Sequence, residues 1–157
     1  MSENLNIISG TKEEQYTHIL PQIEALILQE SDLIASLANT SAALHMQFGW
    51  LWTGFYLKKE TELVLGPFQG PIACTRIAYG RGVCGSAWQR ANTIIVPDVN
   101  KFPGHIACSS RSKSEIVVPI IRNNTVVAVL DVDSEQLHTF DETDAKYLER
   151  IAAWLPF

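Results

Sequence analysis

The chain has 157 residues, of which 46% are hydrophobic and 18% are charged. This length and composition predict one globular domain and exclude disorder as the main state. The formal net charge of −5 argues against a nucleic-acid partner and against binding to an anionic membrane surface, since both favour basic proteins. No apolar run approaches the roughly 18 residues of a membrane span. Residues 1–10 lack the basic and apolar regions of a secretory signal, so we expect a cytoplasmic protein.

The N-terminal third has the apolar spacing of two helices. The first begins with the capping-box pattern of Thr11 and Glu14, and Pro21 predicts a kink or a break within it. The second begins near Asp32 and ends near Gly49. Residues 1–10 precede these helices as an N-terminal extension.

After Gly49 the apolar period changes from that of a helix to that of strands. The next predicted elements are strands at 50–57, 62–68, 73–78 and 93–97, with a short helix at 85–91. A long loop follows, and loops of this length in compact domains are often functional. We assign residues 98–114 to this loop and treat it as the active-site loop.

Two strongly apolar strands, 115–121 and 125–133, follow the loop, and a last helix begins at Asp141. Because both strands are apolar on both faces, we place them inside a sheet that is covered on each side. The element order predicts an α+β fold, with a mostly antiparallel central sheet flanked by N-terminal and C-terminal helices. One domain accounts for residues 1–157.

The three cysteines do not form a recognisable disulfide or metal pattern. Their odd number argues against a disulfide framework, and the absence of C-x-x-C argues against a zinc site or a thioredoxin-type motif. A free cysteine is ordinarily a small buried hydrophobe. Cys74 lies in a strand-like run and is the weakest candidate for chemistry, whereas three glycines surround Cys84 and keep the backbone there open.

Cys108 is the best candidate for a reactive thiol, because it lies in the predicted loop 98–114. His105, Arg111 and Lys113 lie within five residues of it. Nearby positive charge lowers the pKa of a thiol and so raises the fraction of thiolate. We therefore interpret Cys108 as reactive rather than structural.

Acidic side chains gather at the end of the most apolar hairpin. Asp131 and Asp133 are two residues apart and share a face. A two-residue loop at Asn123 and Asn124 would place Glu115 opposite Val132, on the other face. A three-residue loop, 122–124, would place Glu115 opposite Asp131 and collect three acidic groups. Strand ends are often solvated, but such a cluster persists best around a cation, for which an organic ammonium group fits as well as a metal.

Trp52 and Tyr56 share a face of the first strand, with Gly54 between them. Aromatic residues at this spacing are usually core residues on a half-buried strand. The functional interpretation is that they form two walls of a small pocket whose floor Gly54 leaves low.

Five stretches of the chain together resemble a GAF domain. They are Gly80-x-Gly82-Val83-Cys84-Gly85, Ile95-Val96-Pro97-Asp98-Val99, Ser114-Glu115-Ile116-Val117-Val118-Pro119-Ile120, Val129-Leu130-Asp131-Val132-Asp133-Ser134 and Phe140-Asp141-x-x-Asp144. The three cysteines, the two aromatic residues and the acidic trio further resemble the free methionine-(R)-sulfoxide reductases.

This resemblance implies a role for each candidate residue. Cys108 would be the nucleophile, Cys84 would resolve it by forming a disulfide, and Cys74 would assist recycling. Glu115, Asp131 and Asp133 would hold the substrate, which requires the three-residue loop, and Trp52 and Tyr56 would line the pocket. Glu115 is our candidate for the acid that protonates the leaving oxygen.

The resemblance also implies thioredoxin as the reductant and free methionine-(R)-sulfoxide as the substrate. A homodimer is expected by analogy with other GAF domains, and we expect no metal and no cofactor. Two alternatives stay open at this stage. One is a GAF sensor module that binds a cyclic nucleotide or another small ligand without catalysis, and the other is a thiol switch or peroxidase that acts on peroxide.

Overall fold

The computed structural model describes residues 4–157, so the first three residues of the predicted N-terminal extension lie outside it. The helices are α1 (Lys12–Leu28), α2 (Leu33–Phe48), α3 (Gly82–Arg90) and α4 (Glu142–Trp154). The strands are β1 (Trp52–Lys59), β2 (Glu62–Gln69), β3 (Arg76–Ala78), β4 (Ile94–Val96), β5 (Ser114–Arg122) and β6 (Thr125–Ser134). None of the described helices is long and apolar enough to cross a membrane.

The six strands form one antiparallel sheet in the order β3-β2-β1-β6-β5-β4. Strands β5 and β6 each pair on both edges, as the sequence predicted for them. The predicted α+β fold is confirmed. The predicted third strand is too long, because only Arg76–Ala78 pairs with β2.

Local capping explains where the long helices begin and end. Thr11 accepts a hydrogen bond from the Glu14 amide at the start of α1, and Asp32 accepts one from the Ala35 amide at the start of α2. Gly49 ends α2 in the left-handed conformation, with φ of 64°. The predicted break at Pro21 does not occur, because α1 runs from Lys12 to Leu28 with the proline inside it.

The two faces of the sheet have different partners. On one face, α1, α2 and α4 cover a large apolar core that includes Phe55, Ile116, Leu130 and Leu148. On the other face, α3 and the segment between β4 and β5 cover a smaller apolar cluster. This second cluster contains the candidate site residues Trp52, Tyr56 and Cys84.

A buried polar network joins α1 to α4. Asp144 is 1% exposed. Its carboxylate accepts hydrogen bonds from Lys12 Nζ at 2.6 Å and from the Tyr16 hydroxyl at 2.7 Å. The same carboxylate accepts the Asp141 amide and closes a capping box at the start of α4. The Asp144 side chain therefore fixes both the N-terminal start of α4 and the contact of α4 with α1.

We expect Asp144→Ala to lower the free energy of unfolding by about 2–3 kcal/mol, because it leaves the buried Tyr16 hydroxyl without its acceptor and removes one of the two carboxylates beside Lys12. Asp32→Ala is a matched control, since it removes a helix cap that has no buried ion pair, and it should cost about 1 kcal/mol. Urea unfolding of both variants measures the difference. Equal losses would contradict the structural role given to the Asp144 network.

Candidate active site

The hairpin of β5 and β6 decides which face carries the acidic residues. Asn123 and Asn124 have φ of 50° and 59°, and Arg122 pairs with Thr125, so the turn has two residues. The predicted three-residue turn is therefore wrong. A β-bulge corrects the register, because Ile121 pairs with Val126 while Ile120 pairs with Ala128.

The bulge places Glu115 opposite Asp133, on the face that also carries Asp131. The packing of β6 shows the change of face directly, since Val126 and Val129 both belong to the smaller cluster although they are three residues apart. The prediction that the three carboxyl groups face one pocket is thus confirmed, by a different backbone device from the one expected.

The pocket lies between the sheet, α3 and the loop that precedes β5. Its walls bring together Trp52, Tyr56, Cys84, His105, Cys108 and the three acidic residues. A cavity of about 50 Å³ opens between them. Strands β1, β5 and β6 supply the rigid floor, and the loop supplies the wall that carries Cys108.

Burial dominates the electrostatics of this pocket. Desolvation, followed by the nearby Asp133 charge, raises the pKa of Glu115 to about 8. Desolvation and the Glu115 charge also raise the pKa of Asp131 well above its ordinary value. Asp133 is half-buried; desolvation and the Asp131 charge raise its pKa as well, while a 2.6 Å hydrogen bond from the Ser112 hydroxyl opposes the rise. The Glu115 carboxyl group therefore holds a proton at neutral pH that a solvated carboxylate would have lost, and the same burial disfavours ionisation of its two acidic neighbours.

Trp52 and Tyr56 have a second role besides lining the pocket. Trp52 Nε1 donates a hydrogen bond to the Pro71 carbonyl at 3.1 Å, and the Tyr56 hydroxyl donates one to the Cys74 carbonyl at 2.9 Å. The two rings lie 5.8 Å apart. They fix the segment that carries Cys74 at the rim of the pocket.

Packing of the neighbouring aromatic side chains requires a glycine at position 54, in addition to any effect on the pocket floor. A Cβ atom at this position would collide with the Phe68 side chain and lie 2.8 Å from the Trp52 ring. Gly85 has a comparable role in α3, since its Cβ would lie 2.5 Å from the Ala78 carbonyl oxygen. Gly85 therefore allows α3 to approach the chain closely, whereas Gly80 and Gly82 have φ of 73° and 61°, a backbone conformation that favours glycine.

The pairing of the cysteines differs from the prediction. Cys74 and Cys108 form a disulfide with a Cα–Cα distance of 5.5 Å, and Cys84 is free and 3% exposed. The expected disulfide between Cys84 and Cys108 is therefore wrong in this structure. The error began with Cys74, which lies in the loop before β3 rather than in a strand, where its thiol can reach the loop that carries Cys108.

Cys84 lies at the base of the pocket beside the carboxyl groups. Burial, followed by the Asp131 and Glu115 charges, raises the pKa of its thiol well above the usual value.

The exposed Cys108 is at the opposite wall of the pocket, and two of the three basic residues near it in sequence have acidic partners of their own. Arg111 Nε pairs with Glu135 at 2.6 Å, and His105 Nε2 lies 3.4 Å from Glu115 Oε2. Burial lowers the pKa of His105, so this side chain is mainly neutral at pH 7.

The fold agrees with comparisons to known proteins. A family model described as GAF domain matches residues 28–154. A GAF domain-containing protein A from Dictyostelium discoideum is 62% identical, covering 96% of this chain and 96% of its own length. The free methionine-R-sulfoxide reductase of Escherichia coli is 45% identical, covering 92% of this chain and 88% of its own length.

A solved structure is also similar over nearly the whole chain. The X-ray structure of free methionine-R-sulfoxide reductase from Neisseria meningitidis, in complex with its substrate, is 52% identical with a TM-score of 0.96, and the match covers 98% of this chain and 93% of that one. This chain belongs to the GAF domain family. The resemblance to the free methionine-(R)-sulfoxide reductases, drawn above from its sequence, is confirmed.

The raised pKa of Glu115 predicts how pH changes stability. Since the pKa rises from 4.5 to about 8 on folding, folding takes up a proton between these values, and stability falls as pH increases across this window. Glu115→Gln cannot take up that proton. In the disulfide form, we expect the variant to gain stability over the wild type with rising pH, by up to about 1.4 kcal/mol per pH unit.

Urea unfolding at pH 5, 6, 7 and 8 measures this difference. Glu60→Gln, at an exposed position, is the matched control and should follow the wild type at every pH. A Glu115→Gln curve parallel to that of the wild type would contradict the assignment of a buried, proton-holding carboxyl group.

Proposed function

We propose that this GAF domain reduces free methionine-(R)-sulfoxide to methionine with Cys108 as the nucleophile. The observation that carries the proposal is the placement of three acidic side chains and a redox-active cysteine pair around one pocket. The relatives named above support it by their names. A sensor that only binds a ligand would have no use for a disulfide at the rim of its ligand pocket.

The acidic side chains would recognise the ammonium group of the substrate. Glu115, Asp131 and Asp133 lie on the floor of the pocket, where a cation would offset the repulsion among them and replace the water lost on burial. A methionine sulfoxide within a peptide has no ammonium group to offer. The same contact therefore explains selectivity for the free amino acid.

The aromatic residues would hold the apolar end of the substrate. Trp52 and Tyr56 present stacked rings to the pocket, and sulfur and methyl groups pack well against such surfaces. With the ammonium group held by the floor, the sulfoxide sulfur would point towards the wall that carries Cys108. The preference for the R epimer is part of the proposal and rests on the family resemblance alone.

The first chemical step transfers the sulfoxide oxygen to Cys108. The Cys108 thiolate attacks the sulfoxide sulfur while an acid protonates the oxygen, which a poor leaving group of this kind requires. The products are methionine and a Cys108 sulfenic acid, so the substrate sulfur gains two electrons and the cysteine sulfur loses two. Glu115 is the proposed acid, because a pKa of about 8 keeps it protonated at neutral pH.

The second step forms the disulfide present in the structure. The Cys74 thiol attacks the Cys108 sulfenic acid, a sulfur–sulfur bond forms, and the hydroxyl group leaves as water. We therefore assign the resolving role to Cys74, in place of Cys84. Cys84 remains in the pocket beside Asp131 and takes no part in the disulfide.

An external dithiol must then return two electrons to the disulfide, and thioredoxin is the proposed reductant. Cys108 is exposed and Cys74 is partly exposed, so an attacking thiol can reach the bond. Ile72 beside it is 90% exposed and Ile106 is 38% exposed. These apolar side chains offer a contact surface of the kind that a protein reductant can cover.

Two further parts of the proposal concern the cell. A disulfide that cycles between oxidised and reduced forms suits a reducing compartment, which supports the predicted cytoplasmic location. Homodimer formation through the terminal helices is proposed by analogy with other GAF domains.

The roles of the cysteines predict three different single-turnover results. With fully reduced protein and no added reductant, Cys108→Ser should yield no methionine. Cys74→Ser should yield about one equivalent and leave a sulfenic acid, because attack is retained and resolution is lost. Cys84→Ser should still form the bond between Cys74 and Cys108. Methionine release and the intact mass of each variant measure these outcomes.

The reverse pattern would overturn the assignment of Cys74. If Cys84→Ser accumulated the sulfenic acid while Cys74→Ser completed rapid cycles with thioredoxin, Cys84 would be the resolving cysteine. A burst of methionine from Cys108→Ser would move the nucleophile to another thiol.

The exposed isoleucine predicts a reductant-specific defect. Ile72→Asp should raise the KM for thioredoxin by about 5- to 30-fold, as expected when one well-placed contact is lost. Turnover supported by dithiothreitol should change much less, because this small dithiol needs no docking surface. Ile34→Asp is the matched control, since Ile34 is 52% exposed but lies on α2, over the other face of the sheet. Equal effects of Ile72→Asp with both reductants would contradict a docking role.

A further inference from the structure

Three potential metal ligands converge at the base of the pocket. One atom each from Cys84, Glu115 and Asp131 lies within 4.8 Å of the others, and all three residues are buried. Asp131 Oδ1 is fully buried and has no hydrogen-bond partner among the described residues, although Asp131 lines the cavity. A buried carboxylate oxygen without a partner is costly unless something binds it.

We propose that Cys84, Glu115 and Asp131 form a binding site for a thiophilic divalent cation of the Zn²⁺ class. A thiolate and two carboxylates are ligands that Zn²⁺ accepts, and the ion would release to solvent the protons that Cys84 and Glu115 otherwise hold. Mg²⁺ and Ca²⁺ prefer oxygen alone. Three protein ligands with one open position are also the usual arrangement of a zinc site that exchanges its fourth ligand.

The spacing of the three groups suits such an ion after a small contraction. With metal–ligand distances of about 2.0–2.3 Å, tetrahedral ligand atoms lie roughly 3.3–3.8 Å apart. The side chains come from α3, β5 and β6, so their backbones are held by three separate elements.

His105 is a candidate for a fourth ligand. Its Nε2 atom lies 3.4 Å from Glu115 Oε2, within the distance between two ligands of one tetrahedral ion. His105 is on the loop that precedes β5, so a small loop movement would complete the site. Without that movement, water would fill the open position.

In the disulfide form, Cys84 alone among the three cysteines can supply a thiolate to the cation. With Cys74 and Cys108 joined, Cys84 is the only remaining thiol among the three cysteines of the chain. A bound cation would occupy the floor where the ammonium group of the substrate is proposed to bind. Competition between the metal and the substrate rests on the proposed function. Binding of the metal itself depends only on the three ligands.

Equilibrium dialysis of the untagged disulfide form against Co²⁺ and against Zn²⁺ tests the inference. We expect about one ion per chain and, for Co²⁺, a thiolate-to-cobalt charge-transfer band. Cys84→Ser should abolish the band and weaken Co²⁺ binding by more than the roughly 10–100-fold lost when a residue that only hydrogen-bonds to a metal ligand is replaced. Asp131→Asn should also weaken Co²⁺ binding. Glu60→Gln is the matched control and should bind like the wild type.

The wild-type spectrum decides the question even if a variant fails to fold. Absence of stoichiometric binding, or binding without a thiolate band, would overturn the proposed site, as would unchanged binding in folded Cys84→Ser. Free methionine sulfoxide should displace Co²⁺ from the wild type. Co²⁺ binding without displacement would leave the metal site in place and contradict the position proposed for the substrate.

Discussion

Strand β6 has one residue more than its pairing with β5 requires, and the position of the candidate active site depends on that residue. Val127 has no partner where the register shifts between Ile120 and Ile121. In a regular hairpin with the same two-residue turn, Glu115 would pair with Val132, and the Asp131 and Asp133 side chains would lie on the opposite face of the sheet from Glu115. With the bulge, all three acidic side chains lie on the pocket face.

The shared burial of the three acidic side chains lowers the stability of the fold and also raises the pKa of Glu115. Burial of several acidic groups together disfavours ionisation and raises the pKa of Glu115 to about 8, so this carboxyl group retains its proton at neutral pH. A group that holds a proton near pH 7 can act as an acid. Such a floor is also a strong attractant for a compact cation, whether the ammonium group of a substrate or a metal ion.

The two aromatic residues of β1 connect this floor to the redox centre. Because Trp52 and Tyr56 hydrogen-bond to backbone carbonyls at Pro71 and Cys74, the strand that lines the pocket also positions Cys74, the proposed resolving cysteine. The distance between the carboxyl floor and the disulfide is therefore set by side-chain packing within one cluster. Changes at either aromatic residue would alter both the pocket wall and the position of the segment that carries Cys74.

Most of the fold follows from local sequence signals, and the parts that do not are the ones controlled by distant contacts. Asp32, Gly49 and Asp141 mark helix ends because capping is a local property. The bulge lies in an apolar run of valine and alanine that carries no local marker for it. The partner of Cys108 is 34 residues away, and the hydrogen bonds that hold Cys74 come from another strand. The family resemblance predicted residues that line one pocket in the structure, but the disulfide that it implied, between Cys84 and Cys108, is not the one present.

The most direct test of the account is a comparison of kcat/KM for free and N-acetylated methionine-(R)-sulfoxide, with dithiothreitol as the reductant for both. Acetylation removes the ammonium group and leaves the sulfoxide intact. If the acidic floor binds that group, the acetylated compound should lose about 2–5 kcal/mol of transition-state stabilisation. In Asp131→Asn, the ratio of kcat/KM for the free compound to kcat/KM for the acetylated compound should be smaller than in the wild type. Equal kcat/KM values for both compounds with the wild type would contradict the account.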